Sequence, residues 1–291
     1  MSALRIGIAG AGRVFERLYL PALMGRRDLS VVGVAEPRLE RFAHVPPAAV
    51  RAGSVEELLN RVELDGLVVL TPPSRHLADA SLALARGVPA LVEKPMAASS
   101  AEVEELRAGG AAGLLTPAFT RRYWPAYRAA AAGGRAWDVS IRLRSDPAGW
   151  DPVEGTAPPL EDLAPHVLDL ARFLVRAPID TVLAEPHAKG VAIDLTMANG
   201  AAVRAVLDWP GAYREAIRVD GRTRHAGPPS LLASAARRAL RRPDPAVTAV
   251  AVMLGEWAAR LRGEEPASLP SFEDGAAVVA AVEAVRARLG G

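Results

Sequence analysis

Apolar positions along the first part of the chain come in short, uninterrupted runs: Leu4 to Ala9, Leu29 to Ala35, Leu67 to Leu70, Val88 to Val92 and Leu114 to Phe119. Runs this short and continuous, closed by Gly, Pro or acidic residues, fit strands covered on both faces. Helical stretches separate them. Arg13 to Met24 reads as a helix that Pro21 should bend or end. Ser54-Val55-Glu56-Glu57 opens another through Arg61 as a capping box. Arg75 to Arg86 and Glu102 to Arg107 follow. Strands alternating with helices of this length predict an α/β unit with a doubly wound parallel sheet.

After Phe119 the period changes. Arg121 to Tyr127 opens a helix that stops at Gly133-Gly134, and Val139, Ile141 and Leu143 alternate with polar residues as in a half-buried strand. Residues 146–159 are rich in breakers and long enough to suggest a lid, with Trp150 inside it. Leu163, Val167, Leu170 and Leu174 then make a helical stripe. Thr181 to Ala184, Val191 to Met197, Ala202 to Leu207 and Ile217 to Val219 read as antiparallel strands, with Asn199-Gly200 as a two-residue hairpin turn and Asp220-Gly221 as another turn. Helices are expected over Ser230 to Arg242 and Val247 to Arg262, and a last one, after the segment Pro270 to Gly275, runs to Leu289. The chain thus divides into residues 1–118, a doubly wound α/β domain of Rossmann type, and 119–291, an α+β domain with a mainly antiparallel sheet.

Composition narrows the function classes. At 291 residues, with 50% hydrophobic and 23% charged, the chain can bury two full cores. Cysteine is absent, which removes disulfides, thiolate metal sites and a Cys nucleophile. The net charge of +2 comes without a polybasic tail, so nucleic acid is not an expected partner. No apolar run approaches membrane-spanning length, and Met1 runs straight into a strand, so a soluble cytoplasmic protein is expected. His44, His187 and His225 share no ligand spacing, and no metal is assigned.

Candidate chemistry begins at Gly10-Ala11-Gly12, where glycines between a strand and a helix would let backbone N–H groups approach a pyrophosphate. The third glycine of the G-x-G-x-x-G pattern is replaced by Phe15, which should push the helix off the strand and could lay its ring over the crevice. Glu36 ends the second strand, 24 residues after Gly12, where a carboxylate would take ribose hydroxyls. Arg38 and Arg41 follow, and either could accept a 2′-phosphate instead. NAD is therefore favoured, with NADP possible. Of 35 basic residues only Lys94 and Lys189 are lysine. Lys94 follows a buried strand, at the end where open α/β sheets bind ligands; a solvent-facing lysine is the alternative. Asp162, His166 and Asp169 share one helix edge, a layout suited to proton transfer. With Pro165 in a first turn, however, Asp162 could be simply an N-cap and His166 exposed. Arg121, Arg122, Trp124 and Trp150 are pocket or structural residues.

Gly-Ile-Ala-Gly-Ala-Gly (7–12), Leu-Pro-Ala-Leu (20–23), Thr-Pro-Pro-Ser-Arg-His (71–76) and Val-Glu-Lys-Pro (92–95) resemble the Gfo/Idh/MocA family, as do Asp-x-x-x-His-x-x-Asp from 162 and the segment from Pro270 to Leu289. The resemblance implies a nicotinamide-dependent oxidoreductase acting on a hydroxyl or carbonyl of a sugar, cyclitol or related small molecule, and a homo-oligomer. It places Lys94, Asp162 and His166 at catalytic positions. The expected cofactor contacts are Gly10, Gly12, Arg13, Val14, Phe15, Glu36, Thr71, Pro72, His76, Glu93 and Lys94. Two departures stand out: Ala157-Pro158-Pro159 replaces a glycine run before Asp162, and the second sheet is short for the family. A non-catalytic dinucleotide sensor, or an imine or ketone reductase on the same fold, are the rival readings.

Overall fold

The computed structural model describes residues 2–145, 159–226 and 244–290. The expected lid with Trp150 (but for Pro159) and the expected helix Ser230 to Arg242, with its cluster Arg237, Arg238, Arg241 and Arg242, lie outside the described residues. The chain forms two compact units, Met1–Thr120 with Ala246–Ala276 and Arg121–Pro245 with Ala277–Gly291.

In the first unit the strands are β1 (Leu4–Ala9), β2 (Leu29–Ala35), β3 (Val50–Ala52), β4 (Gly66–Val69), β5 (Ala90–Glu93) and β6 (Leu115–Ala118). They pair in the order β3-β2-β1-β4-β5-β6, parallel throughout. Ile6, Ile8, Leu67, Val68, Leu91 and Val92 are wholly buried, as runs without alternation require. The sequence pattern passes over β3, whose three residues carry no distinctive period.

Helix α1 is a π-helical stretch, Phe15–Tyr19, continued by α-helix Leu20–Met24. Pro21 therefore does not end it. The widened turn, in which the Leu20 N–H donates to the Phe15 carbonyl, precedes a residue that lacks a donor and whose ring crowds the carbonyl four residues back. Helices α2 (Val55–Arg61), α3 (His76–Leu84) and α4 (Ser100–Ala108) complete the crossovers. Ser54 and Ser99 cap α2 and α4 through Glu57 N–H and Glu102 N–H. In both, the glutamate reaches back to the N–H preceding the serine, of Gly53 and Ala98.

In the second unit α5 (Pro125–Ala131) and β7 (Asp138–Arg144) precede α6 (Pro159–Val175), followed by β8 (Ile179–His187), β9 (Gly190–Met197), β10 (Ala202–Asp208), β11 (Arg214–Val219) and β12 (Arg222–His225). The sheet order is β12-β11-β7-β10-β9-β8. All its pairs are antiparallel except the central one, β10 with β7, so the sheet is mixed. Asp220 (φ +45°) and Gly221 (φ +81°) turn the chain between the paired Val219 and Arg222, the double left-handed conformation of a two-residue type I′ hairpin. Asn199-Gly200 differs from the expected two-residue loop. Only Gly200 is left-handed, its N–H donates to the Met197 carbonyl and Met197 N–H to that of Ala201, giving a longer loop with a glycine bulge.

The last two helices are α7 (Pro245–Leu261) and α8 (Phe272–Arg288). Helix α7 packs back on the first sheet: Trp257, 1% exposed, lies against Gly66, where a Cβ would sit 2.6 Å from its ring. Arg26 donates to the Ala251 carbonyl at 2.8 Å and holds that helix about two turns before Trp257. No helix among the described residues is long and apolar enough to cross a membrane.

Candidate cofactor and active site

The strand order of the first sheet reverses between β1 and β4, and ligands of open α/β sheets bind beyond the carboxyl ends at such a point. The chain exits β1 into Gly10, β4 into Leu70-Thr71 and β5 into Lys94. Gly10 has φ +91°, and a Cβ there would lie 3.0 Å from the backbone of Leu70 and Thr71, so both conformation and space demand glycine. A Cβ at Gly12 would meet only the Arg41 guanidinium, Nη1 at 3.1 Å. The surface of the turn is thus open backbone beside a cation, which fits a pyrophosphate.

Glu36 is 3% exposed and anchored across the turn. One carboxylate oxygen accepts from Ala11 N–H (2.9 Å), the other from Arg38 N–H (3.1 Å), and Arg41 stands 3.6 Å away. The structure therefore brings Gly10, Gly12 and Glu36 together, with Arg41 beside them. Arg13 and Val14 open helix α1 next to this turn. The ring of Phe15 is buried, 1% exposed, and the residue begins the π-helical stretch.

At the end of β5, Glu93 accepts from the buried Tyr19 hydroxyl (2.9 Å) and from Lys94 N–H (3.1 Å). Burial, then the Glu93 carboxylate, pushes the Tyr19 phenol well above its ordinary value, so it remains a donor. The Lys94–Pro95 peptide is cis. Pro95 offers its carbonyl to His76 Nδ1 at 2.7 Å, while Nε2 faces the Thr71 carbonyl at 2.7 Å. Thr71 Oγ1 donates to Asp79 (2.8 Å), which also binds Arg75 at 2.9 Å. Burial holds the His76 imidazole below its usual range, against the pull of the two carbonyls and Asp79. Pro72 precedes a 3-10 turn, Pro73–Arg75, that leads into α3. Thr71, Pro72, His76, Glu93 and Lys94 are thus one cluster. Sequence reasoning missed Tyr19 and Asp79. Asp79 was legible as the i+4 partner of Arg75; Tyr19 was not, since its partner lies 74 residues away.

The other predicted residues lie on α6 of the second unit. Helix α6 starts at Pro159, so Asp162 stands in its first turn and Pro165 inside it. The N-cap alternative for Asp162 therefore fails, although a carboxylate in the first turn is still favoured by the helix dipole. His166 is buried, at 9% exposed, rather than on a solvated face. Asp169 is committed to structure. Arg122 Nε donates to both its oxygens at 3.0 Å and Nη2 to one at 2.5 Å, with side chains 6% and 1% exposed.

Arg121 Nε donates to both oxygens of buried Glu215 (2.9 and 3.1 Å), which also accepts from the Tyr127 and Tyr213 hydroxyls. Burial works against the Arg121 charge, but Glu215 outweighs it and raises its pKa, while burial and Glu215 together raise both phenols. Trp124 flanks the cluster, its ring centre 5.9 Å from the Arg121 guanidinium and 6.4 Å from that of Tyr213. Glu215 also escaped the sequence reading, though an acid in register with core-facing Ile217 and Val219 was a readable sign of a buried carboxylate. Among the described residues no three His, Asp or Glu are placed to hold a metal ion.

Residues 4–109 match the family model described as "Oxidoreductase family, NAD-binding Rossmann fold". The chain is 36% identical over 106 residues to a dTDP-3,4-didehydro-2,6-dideoxy-alpha-D-glucose 3-reductase of Streptomyces antibioticus, covering 35% of this chain and 32% of that protein. It is 26% identical over 191 residues to the scyllo-inositol 2-dehydrogenase (NADP(+)) IolW of Bacillus subtilis, covering 61% and 53%. The matched part thus spans about a third to a half of the length of these curated relatives. The crystal structure of a myo-inositol dehydrogenase from Corynebacterium glutamicum superposes with a TM-score of 0.80 at 23% identity, covering 99% of this chain and 97% of that one, a likeness of fold. Through residues 4–109, in the first unit, the chain is thus similar to the NAD-binding Rossmann domain of the Gfo/Idh/MocA oxidoreductase family.

Proposed function

We propose that this protein is an NAD(P)-dependent oxidoreductase that moves a hydride between the nicotinamide and a hydroxyl or carbonyl carbon of a cyclitol, sugar or related small polyol. The observation that carries the reading is Lys94 at the exit of β5, flanked by Glu93 and Pro95, whose positions are tied to Tyr19 and His76. Bound at the glycine turn, with Gly10, Gly12, Arg13, Val14, Phe15, Glu36, Thr71 and Pro72 around it, the dinucleotide supplies the hydride acceptor or donor. The chain supplies the rest. As the substrate C–H bond breaks, the hydroxyl oxygen must lose its proton. Lys94 stabilises negative charge on that oxygen, an effect worth on the order of 3 kcal/mol for a preorganised donor in a water-poor site. His166 takes the proton in oxidation and returns it in reduction, having the ordinary pKa nearest neutrality. Asp162 orients the substrate and balances the cationic groups. The names of the matched relatives support the substrate class.

The cofactor preference follows from Glu36. Its carboxylate suits a ribose diol and repels a 2′-phosphate, so NAD(H) should bind more tightly than NADP(H), with Arg41 keeping NADP(H) possible. Isothermal titration with both reduced cofactors checks this. Glu36→Ala should narrow the gap, and tighter NADP(H) binding by the unmodified protein would refute the assignment. A panel of cyclitols, sugars and nucleotide sugars, followed by nicotinamide absorbance, tests the activity. With an identified substrate, Lys94→Ala and His166→Ala should each lower turnover about a hundredfold or more while NAD(H) affinity stays within a few-fold. Tight NAD(H) binding without turnover across the panel would favour a sensor; turnover of cyclic imines alone would favour the reductase reading. A homo-oligomer is expected in sedimentation.

A further inference from the structure

Lys94 stands on a connection whose neighbours are each engaged. Glu93 is tied to Tyr19, and the Pro95 carbonyl faces His76 Nδ1 at 2.7 Å. Met96, 1% exposed, fills the space over Gly275, where a Cβ would lie within 2.3 Å of its sulfur. Of these anchors His76 has the most selective chemistry. It is 1% exposed on the first turn of α3, and each ring nitrogen faces a backbone carbonyl belonging to a different strand exit: Thr71 after β4 and Pro95 after β5. The charged groups that act on the ring are Asp79, on its own helix, and Lys94, on the loop it grips. Asp79 is fixed in turn by Thr71 Oγ1 and Arg75. A buried imidazole with neighbours this specific is more than filler, because an apolar residue would leave the carbonyl that its single N–H serves without a donor.

We infer that His76 is a positioning residue for Lys94: its Nδ1–H donates to the Pro95 carbonyl and sets where the Lys94 side chain stands at the crevice. Nε2 of the same ring lies beside the Thr71 carbonyl at the β4 exit, so His76 packs between the two strand exits. His76 need not touch substrate to do this; it acts through the backbone on either side of the Lys94–Pro95 peptide.

Two substitutions separate this role from general support of the fold. The Asn side-chain amide reaches the place of His Nδ1, and that of Gln the place of His Nε2. His76→Asn can therefore keep the Pro95 bond, whereas the amide of His76→Gln reaches only the Thr71 carbonyl. The readout is direct because the chain has only two lysines. Reductive methylation with ¹³C-formaldehyde labels both, plus the N-terminus, and Lys189→Arg assigns the signals. In His76→Gln the Lys94 methyl signal should shift or broaden with Lys189 unchanged; in His76→Asn it should stay near its original position. This arm needs no substrate, so it stands or falls separately from the proposed oxidoreductase activity, on which only the kinetic arm rests. With a substrate in hand, Gln should lower kcat at least tenfold with KM for NAD within a few-fold, and Asn should restore most of it. An unmoved Lys94 signal in folded His76→Gln would overturn the inference, as would Asn and Gln perturbing it equally. Should Gln fail to fold, His76→Asn is read alone: a Lys94 signal displaced in folded His76→Asn also overturns it, and one that stays in place supports it.

Discussion

Replacing Asp169 by Asn removes one charge from an ion pair that water hardly reaches. Arg122 and Asp169 are 6% and 1% exposed, and three donor–acceptor contacts of 2.5 to 3.0 Å join them. Asparagine retains one carbonyl oxygen but leaves the guanidinium buried beside a neutral amide. Breaking a buried pair from one side costs about 3–5 kcal/mol, and the retained acceptor points to the lower end, about 3 kcal/mol. The Phe173 ring, 5.3 Å from the Arg122 guanidinium, remains in place, but a cation–π contact worth at most about 2 kcal/mol cannot replace a carboxylate. At about 3 °C per kcal/mol for a unit of this size, the melting temperature should fall by roughly 10 °C.

Urea unfolding followed by tryptophan emission suits the measurement. Four of the five tryptophans, Trp124, Trp137, Trp150 and Trp209, belong to the second unit. The double substitution Arg122→Met with Asp169→Leu should recover most of the loss, since apolar groups of similar volume often replace a buried pair without cost. A loss below about 1 kcal/mol, the scale of an exposed pair, would refute the reasoning. So would a double variant less stable than the sum of its singles.

Gly66→Ala should destabilise the first unit by about 1–3 kcal/mol, because the new Cβ would meet the Trp257 ring at 2.6 Å with no flexible atom to yield; thermal unfolding, with Trp257 as that unit's one tryptophan, checks it. Burial depresses the His76 pKa, so the unfolded chain takes up this proton before the folded one does. The stability it contributes is complete above about pH 6.5 and is lost as pH falls through the folded value, so His76→Asn should show a shallower acid decline in urea midpoint than the unmodified protein. Equal acid slopes would sink that account.

Local order was open to the sequence alone. The continuous apolar runs of β1, β2, β4, β5 and β6, the Ser54 cap of α2, the glycine turn after β1 and the Asp220-Gly221 hairpin all follow from the residues that make them. Each depends on neighbours within a few positions, and backbone sterics and periodicity act at that range. Glu36 and Lys94 were placed at the strand exits in the same way. Partnerships across long separations belonged to the tertiary structure. Nothing in the sequence around Trp257 says that α7 returns to the first sheet; that depends on the room at Gly66, nearly two hundred positions earlier. Periodicity put Asp169 beside His166 on one helix edge, yet Arg122, reaching across from another element, takes that carboxylate out of reach of proton transfer. Strand β3, too short to show a period, exists because β2 offers an edge to pair with. His76 shows the division most clearly. Its type and spacing marked it as a candidate, but that its two nitrogens face the carbonyls of two separate strand exits is a fact of packing. A hydrogen bond is decided by the position of two atoms to within a few tenths of an ångström, and only the folded chain sets that position.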